Sequence, residues 1–260
     1  MKRTALFGIT IDNLTMAQAV EAIRELVNDS KGHHYVATPN TDHIVRLHKD
    51  PVFRKAYAGA SLVLADGMPL IWASRSLGRP LQMRVTGADL LPAVCEMAAA
   101  NAKSVFLLGG RAGVAERAAL NLQAAYPGLQ IAGTYSPPLG FERDPVEQRR
   151  IVEQVNRVCP DVLAIGLGAP KQELWIAAHH RELQFGVALC IGAAIDFAAG
   201  AVERAPRWMQ ERGLEWFWRL AQEPRRLWKR YLVDDMAFAR IVAREWWRLR
   251  VRGAAPYEGA

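Results

Sequence analysis

Between Asp161 and Glu173 the chain passes from an apolar run, Val162 to Ile165, through Gly-Leu-Gly-Ala into a segment opened by Pro170 and continued by Leu174, Trp175 and Ala178. Four apolar residues ahead of a glycine turn read as a buried strand. Proline suits a helix start, where its missing N–H would have no partner anyway. Strand, glycine turn and helix in that order commit this stretch to a parallel sheet with covering helices. Such a turn lets main chain approach a ligand closely, and the free N–H groups of a helix start favour an anion such as the diphosphate of a nucleotide sugar. Gly168 belongs to the turn, and Lys171 and Gln172 stand where side chains would add to the grip. A dinucleotide fingerprint would need a third glycine at Lys171, and a phosphate P-loop would need Gly-Lys-Ser/Thr. Neither is present, and any parallel-sheet protein needs glycines at some of its strand-to-helix turns.

The rest of the chain repeats the theme. Thr4 to Ile11 reads as a strand, and Thr15 caps a helix with Met16, Val20, Ile23 and Val27 on one face. His34 to Thr38 is a second strand, Asp50-Pro51 opens a short helix running to Ala58, and Ser61 to Ala65 is a third strand. Helices follow over Pro69 to Leu77 and Ala88 to Ala100, with Arg75, Arg79 and Arg84 around a basic loop between them. Strands over Ser104 to Leu108, Leu129 to Tyr135 and Val187 to Ile191 alternate with helices over Val114 to Tyr126 and Pro145 to Val158. Strands and helices of this length imply right-handed crossovers and an α/β fold, a doubly wound, mostly parallel Rossmann-like sheet with a carboxyl-terminal helical appendage. The expected division is 1–203 for the α/β catalytic part and 204–260 for the appendage.

Ligands of doubly wound sheets bind at the carboxyl ends of strands. Thr38 and Asn40, Asp66, Gly109 and Gly110, and Gln172 all follow strands, so one crevice can collect them. Asp66 is the carboxylate of that set and the candidate base for a sugar hydroxyl. Asp66-Gly67 is also a common turn pair, and Thr38 and Asn40 also fit turn and helix-cap roles. Asp42 and His43 read as solvated helix residues, and His179-His180 as an exposed helix face.

Composition narrows the class. The net charge is +7 with a pI near 9.6, and from Ala201 onward 13 Lys/Arg stand against 8 Asp/Glu, so that segment carries +5 of the +7. An anionic partner is implied: nucleic acid, an anionic membrane or a phosphorylated substrate. Cys95, Cys159 and Cys190 lack metal-ligand or redox spacing and read as buried free thiols in a reducing cytoplasm. The strongest transmembrane candidate, Phe185 to Val202, holds Asp196 and several glycines and reads better as a strand with a loop.

Several motifs together resemble one family. Thr-Pro-Asn-Thr-Asp-His at 38–43, Ala-Asp-Gly-Met-Pro at 65–69, Arg-Val-Thr-Gly-Ala-Asp at 84–89 and Phe-Leu-Leu-Gly-Gly at 106–110 look like the WecG/TagA/CpsF glycosyltransferases. So do Gly-Leu-Gly-Ala-Pro-Lys-Gln-Glu at 166–173, Gly-Ala-Ala-Ile-Asp-Phe at 192–197, and Arg-Ala-Pro-Arg-Trp with Gly-Leu-Glu-Trp over 204–216. The resemblance implies an inverting transfer of N-acetylmannosamine, its uronic acid or glucose from a UDP-sugar to an undecaprenyl-diphosphate-linked sugar, in the making of cell-surface polysaccharide or teichoic acid. It implies Asp66 as general base, Thr38 and Gln172 in the substrate pocket, and Arg219 and Arg226 near the diphosphates at the membrane. The enzyme would work in the cytoplasm, peripheral on the inner face of the membrane, with room for a homo-oligomer.

No Asp-x-Asp occurs in the chain, so no paired carboxylates of that kind hold a divalent ion against the diphosphate, and no cofactor or metal is expected. Leaving UDP would then be stabilised by helix-start N–H groups and cationic side chains. Six of the eight tryptophans lie beyond residue 203, among arginines. That mixture suits a membrane interface, and equally a helical piece packed on the sheet. No nucleic-acid motif accompanies it. The alternative from another class is a nucleotide-binding oxidoreductase or a sugar-nucleotide binding module without transfer chemistry.

Overall fold

The computed structural model describes residues 3–29, 32–222 and 235–251. Six strands form one parallel sheet: β3 (His34–Ala37), β4 (Leu62–Val63), β5 (Ser104–Gly109), β6 (Gln130–Tyr135), β7 (Val162–Gly166) and β8 (Val187–Cys190), in the order β4-β3-β8-β7-β5-β6. The period-2 alternation of a strand decides which face each side chain serves. In β7, Val162 and Ala164 join the core under α1 (Met16–Asn28), α5 (Gly87–Ala100), α6 (Val114–Ala125) and α9 (Ala194–Ala198). Leu163 and Ile165 join the opposite core, under α7 (Pro145–Val158) and α8 (Lys171–His179). A one-residue slip would drive Leu163 and Ile165 into the space of Val162 and Ala164 and leave the smaller pair on the opposite face, so the two cores together fix the register. The doubly wound α/β expectation holds.

Helix starts follow local chemistry. Thr15 caps α1 in a capping box with Gln18, and Asp50 accepts the Val52 and Phe53 N–H groups ahead of α3 (Pro51–Ala58). Asn40 caps α2 (Thr41–Lys49), and Thr86 caps α5. Helix α4 (Met68–Ser76) starts at Gly67, whose φ of 116° is open to glycine alone at low cost.

The amino terminus departs from the expected single strand. β1 (Arg3–Leu6) and β2 (Ile9–Asp12) pair antiparallel around a two-residue turn, with Phe7 and Gly8 both at positive φ. Twist-matched hairpin turns require that geometry and normally recruit Asn-Gly, so Phe-Gly gave no local signal. Tertiary contacts hold Phe7 there: it is buried, its N–H donates to Glu245 Oε2 at 2.9 Å, and its carbonyl lies 3.1 Å from His48 Nε2.

Glu245 belongs to α12 (Asp235–Val251), which packs against α2 and the hairpin and places Phe238 in a third core with Phe7, Ile44, Phe53 and Ile71. Two shorter helices, α10 (Arg207–Glu211) and α11 (Glu215–Gln222), precede it. No helix among the described residues is long and apolar enough to cross a membrane.

Three further expectations are corrected. Cys95 and Cys190 are buried, but Cys159 is an exposed left-handed cap at the end of α7. His43 is buried, with Nδ1 2.6 Å from the Tyr57 hydroxyl, because α3 folds over that face of α2. His179 and His180 are half-buried: His179 Nε2 contacts Gln148 at 2.9 Å and the His180 ring lies against Tyr35.

Candidate active site

The carboxyl ends of four neighbouring strands, β4, β3, β8 and β7, open into one cavity of about 530 Å³. Each strand delivers a turn to it. After β3 come Thr38 and Asn40, after β4 Asp66 and Gly67, after β7 Leu167, Gly168 and Gln172, and after β8 Ile191 and Gly192. Thr38 Oγ1 donates to the Cys190 carbonyl at 2.8 Å, joining the ends of β3 and β8. Asn40 Oδ1 accepts the His43 N–H at 3.3 Å, so this pocket residue is also the cap of α2. The Asp66 N–H donates to the Pro39 carbonyl at 2.8 Å, and Val85 N–H to the Ala65 carbonyl at 2.8 Å. Main chain thus holds the Ala65–Asp66 peptide group at both its N–H and its carbonyl, and the half-buried Asp66 lies on the cavity wall.

Behind the wall lies a buried polar cluster. Gln172 Nε2 donates to Glu173 Oε1 at 2.6 Å, and Gln172 Oε1 accepts the Gly192 N–H at 3.1 Å. His43 Nδ1 lies 3.9 Å from the same Glu173 oxygen, and Glu173 Oε2 is buried without a hydrogen-bond partner. Burial pushes the Glu173 carboxyl up to about 7, against the Gln172 hydrogen bond and the charge of Arg46, which favour ionisation. Burial also raises the Tyr57 phenol well above its ordinary value.

The opposite wall comes from the last segment. Gly213, Glu215 and Trp216 line the cavity, and Gly213 fits there twice over. Its φ is 72°, and a Cβ would stand 2.8 Å from Met68 and from the Trp72 ring. Charge ties this wall down. Arg84 Nη1 donates to Glu215 Oε2 at 3.2 Å, Arg204 Nε to Glu215 Oε1 at 3.4 Å, and Arg204 Nη1 to Asp89 Oδ1 at 2.5 Å. Thr86 Oγ1 donates to Asp89 Oδ2 at 2.7 Å. Burial works against the Asp89 carboxylate, but the hydrogen bonds from Arg204 and Thr86 and the charges of Arg204 and Arg84 hold it below the usual carboxylate range.

The cavity therefore brings together Thr38, Asn40, Asp66, Gly168 and Gln172. Three other residues picked out in the sequence stand elsewhere. Gly109 ends β5, one strand farther along, Gly110 follows it, and both pack on β7: a Cβ at Gly109 would stand 2.4 Å from the Gly166 carbonyl oxygen, and the Gly110 N–H donates to that oxygen at 3.4 Å. Lys171 does not line the cavity, and its ammonium is paired at 2.8 Å with Glu142. Arg219 is on α11, but its side chain lies outside the described residues, as does the whole of Arg226. Sequence reasoning missed Arg84, Asp196, Glu215 and Trp216 as lining residues and Glu173 behind them. All five lie inside the quoted motifs, so the motifs marked the region without assigning the side chains.

The carboxyl ends of adjacent parallel strands are where doubly wound α/β proteins bind their ligands, and here that place is a polar crevice with a carboxylate on its wall. Comparison with known sequences makes the class specific. The profile of the Glycosyl transferase WecG/TagA/CpsF family matches residues 4–252, and the chain belongs to that family of glycosyltransferases. It is 30% identical over 226 residues to an N-acetylglucosaminyldiphosphoundecaprenol N-acetyl-beta-D-mannosaminyltransferase of Staphylococcus aureus (strain MW2), covering 86% of this chain and 85% of the relative. A protein of the same description from Staphylococcus aureus (strain NCTC 8325 / PS 47) is 31% identical over 215 residues, 82% of each chain.

Proposed function

We propose that this glycosyltransferase moves an N-acetylmannosaminyl group from a UDP-sugar to an N-acetylglucosaminyl-diphospho-undecaprenol acceptor, with inversion at the anomeric carbon. The relatives' descriptions support the donated sugar and the acceptor. The observation that carries the mechanism is the half-buried Asp66 on the wall of the cavity, its peptide group held by main chain. Asp66 takes the proton of an acceptor hydroxyl, and the oxygen attacks the anomeric carbon from the face opposite UDP. The bond from that carbon to the diphosphate oxygen breaks, and UDP leaves as an anion. Thr38, Asn40, Gly168 and Gln172 shape the seat of the two sugars, and Arg219 and Arg226 take the diphosphate charge.

The last segment is the surface that meets the membrane on its cytoplasmic side. Trp208, Trp216, Phe217, Met236, Trp246 and Trp247 are exposed, and Arg250 stacks over the Trp246 ring at 5.4 Å, a mixture that suits lipid headgroups. The test is a panel of radiolabelled UDP-sugars with a lipid-diphosphate N-acetylglucosamine acceptor. UDP-N-acetylmannosamine should give labelled lipid, and its uronic acid and UDP-glucose should give little. Saturable NAD binding with no UDP binding would favour the oxidoreductase alternative instead.

A further inference from the structure

Among the described residues, Arg84 is the one lysine or arginine that lines the cavity, whereas Asp42, Asp66, Asp196 and Glu215 all do. Within that lining the Arg84 guanidinium is the group that attracts a diphosphate, beside whatever Arg219 and Arg226 contribute, and here Glu215 engages it. The ion pairs of this wall differ in length. Arg204 has its own short partner in Asp89, which Thr86 also holds, so that pair anchors the segment. Glu215 makes the longer contacts, 3.2 Å to Arg84 and 3.4 Å to Arg204, and sits on the cavity side.

We propose that Glu215 is a resident counter-anion which the diphosphate of the donor replaces at the Arg84 guanidinium, so that Glu215 sets the affinity for the donor. The proposal rests on the UDP-sugar reading above. Guanidinium binds carboxylate and phosphate through the same fork of donors, so one anion replaces the other without a new site being formed. The carboxylate keeps the pocket's cation hydrogen-bonded while it is empty. Arg204 retains Asp89 when Glu215 lets go, and the wall stays attached.

The test is a double-mutant cycle read by titration with UDP and, separately, with inorganic diphosphate. Glu215→Gln removes the competing charge at nearly constant shape, and Glu215→Ala is read beside it, each with its melting transition compared with that of the wild type. If Arg84 is free of Glu215 for only a tenth to a third of the time, releasing it should tighten UDP binding about three- to tenfold. In an Arg84→Gln background the same change should give no gain, since no guanidinium is left to release. Unchanged or weaker binding in folded Glu215 variants overturns the proposal, as does an equal gain in both backgrounds, which would reflect the general field of the pocket. Failure of the wild type to bind UDP, with the diphosphate cycle as stated, would contradict the UDP-sugar reading and leave the exchange standing.

Discussion

Gln172 and Gly192, twenty residues apart, join the adjacent glycine turns that follow β7 and β8 and line the cavity side by side: the Gln172 carboxamide oxygen accepts the Gly192 N–H at 3.1 Å. The amide's other end donates to Glu173, so the carboxamide has one orientation that satisfies both neighbours. Gln172→Ala would leave the Gly192 N–H and a second Glu173 oxygen without these partners. Stability should fall by about 1–3 kcal/mol for the groups left unpaired. Turnover should fall by on the order of 10²-fold as the turns lose their spacing. Chemical denaturation and initial transfer rates measure the two losses on the same preparation.

Glu173 predicts a pH dependence of stability with a definite sign. Its carboxyl stands at about 7 in the folded protein against an ordinary 4.5, so the folded state holds a proton that the unfolded chain has released. The stabilisation is complete below about pH 4.5 and disappears as pH rises through about 7, amounting to on the order of 3 kcal/mol. Gln172, Asp42, Arg46, His43, Tyr57 and Cys190 are the polar or charged groups that face it. Glu173→Gln should flatten this part of the stability profile, and a profile parallel to the wild type's would place the titration elsewhere.

Helix α12 is expected to contribute to the stability of the whole chain. Phe238 is 6% exposed, with its ring centroid 5.4 Å from that of Phe7. Phe238→Ala should cost about 3–5 kcal/mol in urea unfolding. Glu245→Ala, which strips the buried Phe7 N–H of its acceptor, should cost about 1–3 kcal/mol. Losses below half a kcal/mol in both variants would mean that α12 contributes little to the fold.

Saturating EDTA should leave initial transfer rates unchanged, since the chain has no Asp-x-Asp pair to hold a divalent ion on the donor diphosphate. Rates that collapse with EDTA and return with Mg²⁺ or Mn²⁺ would point to a ligand set of another kind.

The parts of this molecule that were legible in its sequence are those written locally. The run from Val162 through Gly168 to α8, the Thr15 and Asp50 caps and the parallel alternation all depend on neighbours a few residues away. Asp66, Thr38 and Gln172 could be grouped on one cavity because strand ends converge in a doubly wound sheet. What stayed hidden rests on distant partners. Phe7 is held in a turn by Glu245, 238 residues away, and Arg84 meets Glu215 across 131. Lys171 had the right place beside a helix start, but Glu142 takes its charge, a pairing that periodicity does not encode. His43 looked solvated because the aromatic face that buries it comes from α3.

In the proposed mechanism Asp66 accepts the proton of the acceptor hydroxyl in this cavity. The direct test is Asp66→Asn, assayed for UDP binding by calorimetry and for transfer of labelled N-acetylmannosamine to the lipid-diphosphate acceptor on the same sample. The shape of the pocket persists while the proton acceptor is lost, so UDP affinity should stay within about twofold and turnover should fall by on the order of 10²–10⁴. Turnover within threefold of the wild type, with UDP still bound, would remove Asp66 from the mechanism.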